Sequence, residues 1–86
     1  MVDDTLSQLR RAEDALNRSY ERYEEIERKI AECNAQLSQY PAGSDEYAEL
    51  MNRIFILKAS KKNVGGQITA LENKVSDISS ELGLNK

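Results

Sequence analysis

Apolar side chains recur through the second half of the chain at alternating intervals of three and four. Tyr47, Leu50, Ile54, Leu57, Lys61, Val64, Ile68, Leu71, Val75, Ile78 and Leu82 keep this spacing without a skip, and ten of these eleven are apolar or aromatic. A 3-4 alternation places every member on one stripe of a helix, the a and d positions of a heptad repeat. The first half is less regular. Val2, Leu9, Leu16, Tyr23, Ile30 and Leu37 recur every seven residues. Leu6, Glu13, Tyr20, Glu27 and Asn34 form the companion series, which alternates between apolar and polar. Ala12, Ile26 and Cys33 flank it and widen the apolar stripe, as suits a helix that contacts two neighbours.

Between the halves, Tyr40-Pro41-Ala42-Gly43-Ser44 gathers the strongest turn signals in the chain. Ser44 is placed to cap the helix that follows, and Asp45 and Glu46 set negative charge on its first turn, where the helix dipole favours it. At the front, Asp3, Asp4 and Thr5 offer capping oxygens, with Thr5 and Gln8 spaced as a capping box. At the back, Gly83 is a C′ glycine, with Leu84 as its apolar partner. The reading is an all-α fold in one domain over residues 1–86: a helix over about 4–39, a turn at 40–44 and an antiparallel helix over about 45–82. Folding the two stripes together pairs Leu37 with Tyr47, Ile30 with Ile54, Tyr23 with Lys61, Leu16 with Ile68, Leu9 with Val75, Leu6 with Ile78 and Val2 with Leu82. Each pair is equidistant from residue 42, inside the turn identified independently from its residue types. Gly65 and Gly66 interrupt this picture, because two glycines cost a helix about 2 kcal/mol relative to alanine. The heptad phase runs through them unbroken, which favours one continuous or kinked helix over two short ones.

Lys61 is the odd member of the second stripe. Opposite Tyr23, it lays its stem along the seam and directs its ammonium toward Glu24 or Glu27, and such polar seam residues set register. Tyr23, Lys61 and Glu27 are therefore the expected register residues. The acidic run Glu21, Glu24, Glu25 and Glu27 reads as a solvated helix face with Glu24–Arg28 and Glu25–Lys29 pairs, lying across from Lys58, Lys61 and Lys62.

Composition narrows the chemistry. The 86 residues include 15 acids, 12 bases, one cysteine, one proline, and no histidine or tryptophan. This inventory excludes a disulfide framework, a Cys/His zinc site and histidine acid–base catalysis. No catalytic, cofactor-binding or metal site is expected, and the protein is read as not an enzyme. The net charge of −3 lacks the basic footprint of a nucleic-acid binder. No apolar run reaches a membrane span, and the first residues lack a signal peptide's pattern, so a cytoplasmic location is expected, with leaderless secretion open.

Met51, Phe55 and Ile56 lie off the second stripe, and Ile54-Phe55-Ile56-Leu57 is apolar around a full turn. A two-helix hairpin covers one side of such a turn. The expectation is therefore a non-catalytic interaction protein (an adaptor, small chaperone, inhibitor or export partner). It would form a homo-oligomer, a dimer or four-helix bundle first of all, or dock on a larger protein. Met51, Phe55 and Ile56 are the candidate contacts, with Ala12, Ile26 and Cys33 as a second surface. The alternative is a structural subunit that polymerises or serves as a coiled-coil spacer. In length and arm size the chain resembles the small Trp-x-Gly hairpin partners of type VII secretion, with Pro41-Ala42-Gly43 in place of their turn motif. It is similar in length to type III secretion needle subunits, without the Pro-x-x-Pro of their turn. Both resemblances cover overall shape and imply no residue roles.

Overall fold

The computed structural model describes residues 2–83, with side chains from residue 4 onward. Two helices, α1 (Val2–Leu37) and α2 (Asp45–Glu81), lie antiparallel and pack along their length. The molecule is a rod of 61 × 20 × 14 Å.

The turn is built by local hydrogen bonds. Tyr40, restricted by the following proline, cannot continue a helix easily. The last turn of α1 therefore closes through Gln39 N–H to Gln36 O (3.0 Å) and Tyr40 N–H to Leu37 O (3.3 Å). This ends α1 at Leu37, two residues before the expected boundary. Gly43 has φ +95°, a backbone state costly for any residue with a Cβ. Ser44 then caps α2. Its Oγ accepts from Tyr47 N–H at 3.2 Å and donates to Pro41 O at 2.8 Å, tying turn and helix together. At the other end Gly83 has φ +73° and donates to Ser80 O. Leu84, its expected apolar partner, lies outside the described residues. The expected capping box needs correction, because α1 already begins at Val2 and places Thr5 and Gln8 within its first turns.

Along α2 and its C-cap Leu82 every one of the eleven stripe positions is buried or half-buried, and the helix passes through Gly65 and Gly66 without a break. A Cβ added to Gly65 would meet the Tyr23 ring at 3.7 Å, an ordinary contact, whereas one added to Gly66 would meet nothing within 4 Å. The heptad thus outweighs the low helix propensity of the pair, as tertiary packing commonly does.

The first helix departs from the expected stripe. Leu6, Glu13, Tyr20, Glu27 and Asn34 are all exposed. The residues one position earlier face α2 instead: Thr5 and Ile26 are half-buried, and Ala12, Ser19 and Cys33 are buried. Leu9, Ala12, Leu16, Ser19, Tyr23, Ile26, Ile30, Cys33 and Leu37 form an unbroken 3-4 alternation. The wide stripe attributed to contact with two neighbours is therefore a single seam, in which Ala12, Ser19 and Cys33 set small side chains among the larger ones. Ala12 packs in a cluster with Leu9 and Ile78. Cys33 packs with Leu50 and Ile54 near the turn, with Leu37 and Leu57 against them.

The register follows the pairing from sequence with a small offset, except at Leu6, which is exposed and leaves Ile78 to pack with Leu9 and Ala12. Lys61 lies over Tyr23, a pair centred on residue 42. The Lys61–Glu27 and Gly65–Tyr23 contacts are centred on residue 44, and the Tyr20–Glu72 hydrogen bond on residue 46. Tyr23 thus fits between Lys61 and Gly65, one turn apart, rather than facing one residue squarely. The Val2–Leu82 pair falls outside the described side chains.

This seam is narrow. No described side chain is fully buried, and the accessible surface of 6595 Å² exceeds the roughly 5,100 Å² expected of a compact monomer of 9.7 kDa.

Candidate functional site

Each residue turns an α-helix by about 100°, so adjacent positions point to different sides. Ile54 is 5% exposed in the seam, while its neighbour Phe55, about 100° further round α2, is 73% exposed. Met51, one turn earlier on the Phe55 side, is 47% exposed. Ala48, Ala59, Lys62 and Gly66 continue this outer face along the helix at spacings of three and four, all of them exposed. Phe55 and Met51 therefore form an apolar centre with small side chains on either side of it. The sequence carries a second heptad-like line here, superimposed on the first and facing away from α1.

Ile56 is exposed on a different flank, turned toward the groove between the helices. There it joins Cys33, Leu57 and the stems of Lys29 and Arg53 around a shallow hollow of about 300 Å³. Of the three residues expected to act together, Met51 and Phe55 share one face and Ile56 borders it. Ala12, Ile26 and Cys33, the second candidate surface, are placed against α2 within the hairpin's own seam. That expectation is corrected by the one-residue phase of α1. The signal was present in Ala12, Ser19 and Cys33, but small side chains weigh little in a hydrophobic pattern beside Leu6 and Tyr20.

A polar belt crosses the middle of the hairpin. The Lys61 ammonium sits 3.5 Å from a Glu27 carboxylate oxygen and 5.4 Å from the centre of the Tyr23 ring. Its side chain is about one-third exposed, so the charge stays hydrated while the stem covers the seam. Of the two expected pairs within α1, Glu25–Lys29 closes at 3.6 Å; Glu24–Arg28 does not appear among the ion pairs of the described residues. Nearer the open end, Tyr20 Oη donates to Glu72 at 2.5 Å. That hydrogen bond to a carboxylate is the main cause of a raised Tyr20 pKa, with desolvation and the negative charge of Glu72 adding to it. No buried side-chain polar atom among the described residues lacks a partner.

Charge is unevenly distributed along α2. Asp45, Glu46 and Glu49 occupy its first turns; Arg53, Lys58, Lys61 and Lys62 follow, and no further acid occurs until Glu72. Among the described residues there is no cluster of three or more potential metal ligands, and no helix is long and apolar enough to cross a membrane. No protein-family model matches the chain, and comparison with curated proteins and with solved structures finds no match. What is shown is the class of architecture, an antiparallel helical hairpin with one face of α2 left open.

Proposed function

We propose that this chain is a non-catalytic protein-interaction module that presents the outer face of α2 to another helix. The observation that carries this reading is Phe55, a large aromatic residue 73% exposed beside a 5% exposed neighbour. Contiguous exposed apolar side chains mark interaction surfaces more often than they occur by default on small soluble proteins. Helix-on-helix recognition uses anchors spaced by three, four and seven residues, and Ala48, Met51, Phe55, Ala59 and Lys62 present that spacing. The narrow seam supports the same conclusion, because a chain with no fully buried side chain gains most by covering more of its surface. Adaptor, chaperone, inhibitor and export-partner roles all use a surface of this kind.

The test is Met51→Glu combined with Phe55→Glu. Both positions face away from α1, so helix content by circular dichroism should be preserved. Self-association or partner capture should weaken by about tenfold or more. A double variant that binds and associates like the parent chain would remove this face from consideration.

A further inference from the structure

We propose that the outer face of α2 pairs with the same face of a second copy, antiparallel, across a two-fold axis near Phe55. This rests on the interaction reading above and names its partner. The charge order along α2 carries it. Acids occupy the first turns and bases the middle, so a parallel α2–α2 pairing sets like charges side by side. An antiparallel pairing about Phe55 reverses one copy. Phe55 then meets Phe55 of the second copy, Met51 meets Ala59, and Ala48 meets Lys62. Ala48 lies between Asp45 and Glu49 in sequence, and its small side chain leaves room for the Lys62 ammonium to reach those carboxylates. The same contacts form twice by symmetry, as a closed two-fold dimer requires.

Area supports the same occupant. The hairpin exposes about 1,500 Å² more than a compact chain of its mass, and a standard interface takes about 800 Å² from each partner. A second rod laid along α2 draws on that excess. The two hairpins then form four helices, with the two α2 helices in the middle and the more highly charged α1 helices outside.

Two charge variants test the register, Lys58→Glu/Lys62→Glu and Asp45→Lys/Glu49→Lys. Each alone should dissociate the dimer in sedimentation equilibrium, because each places like charges across the axis. Mixed, they should form a heterodimer. Circular dichroism of each separates dissociation from unfolding. As a second reading, spin labels at residue 63 or residue 73 in a Cys33→Ser background should give inter-copy distances of roughly 25 and 55 Å, rising about 3 Å per residue away from Phe55. Equal short distances at both positions would mean parallel pairing and overturn the proposal, as would failure of the mixed variants to associate. A wild-type chain that stays monomeric also overturns it. If a photo-crosslinker at residue 55 then still captures a different protein, the interaction reading survives without self-pairing. If it captures none, both readings fall.

Discussion

α1 and α2 are nearly equal in length, 36 and 37 residues, and they share one seam, yet they use their remaining surfaces differently. Away from the seam, α1 is densely charged, and its exposed apolar side chains are isolated ones such as Leu6 and Tyr20. Its seam carries small residues at Ala12, Ser19 and Cys33. α2 supplies the larger side chains to the seam and then repeats apolar residues on an outer face. The difference separates two tasks within one fold. The hairpin covers the apolar stripe of α1 apart from Leu6 and Tyr20, whereas on α2 it leaves Met51, Phe55 and Ile56 grouped and exposed.

The adjacent residues Ile54 and Phe55 give the sharpest way to break this comparison. Ile54→Glu places a charge among Cys33, Leu50 and Leu57 in the closed seam. The hairpin should lose most of its helix signal at room temperature, since a chain of this size has little stability to spare. Phe55→Glu, one position away, should leave that signal intact. Equal loss in both would mean that α2 has no separate outer face.

Ala12→Leu comes next in size. Ala12 is only 4% exposed against Ile78, and adding bulk to a closed layer costs about 1–3 kcal/mol. Urea denaturation should show that loss. The matching substitution on the outer face, Ala59→Leu, should leave the fold's midpoint nearly unchanged.

Gly66→Ala should move stability the other way. Its Cβ meets nothing within 4 Å, so the gain is the helix-propensity difference of about 1 kcal/mol, read as a higher denaturation midpoint in dilute solution. A lowered midpoint would show that a neighbouring helix approaches the glycine closely.

The smallest effect concerns Tyr20. Its hydrogen bond to Glu72 holds the phenol protonated and raises its pKa in the folded state. The stability this contributes is complete below the unfolded tyrosine pKa of about 10, and is lost as pH rises through the higher folded value. Tyr20→Phe should abolish that alkaline component of the unfolding profile and leave neutral-pH behaviour almost unchanged, because the pair is exposed.

Much of this architecture was legible in the sequence, unevenly by helix. The α2 seam was readable at all eleven positions because Leu, Ile and Val mark nine of them and the unbroken spacing carries Tyr47 and Lys61. The turn was readable because Pro41, Gly43 and Ser44 each restrict or extend the backbone in a known way. On α1 the series Leu9, Leu16, Tyr23, Ile30 and Leu37 was read correctly, and its companion series was misread by one residue. Ala12, Ser19 and Cys33 are buried through their small size, while Leu6 and Tyr20 lie partly exposed beside the seam and drew the pattern toward themselves. The open face of α2 was legible as an excess of apolar residues around Phe55. That Ile56 belongs to the groove rather than to the face depends on helix rotation against a partner, which only the fold supplies.

The placement of Cys33 has a consequence in time rather than in space. The hairpin's single thiol is 8% exposed beside the turn, packed against Leu50 and Ile54. Cys33 shows only a sliver of surface at the edge of the shallow hollow beside Ile56, so a bulky thiol reagent reacts with it far faster when the two helices separate locally. When closing is fast relative to modification, its labelling rate relative to an unfolded thiol measures how often that end of the hairpin opens. A clamp across the outer face of α2 would slow the reaction without touching the cysteine. The chain therefore carries a built-in clock for the opening of its own seam.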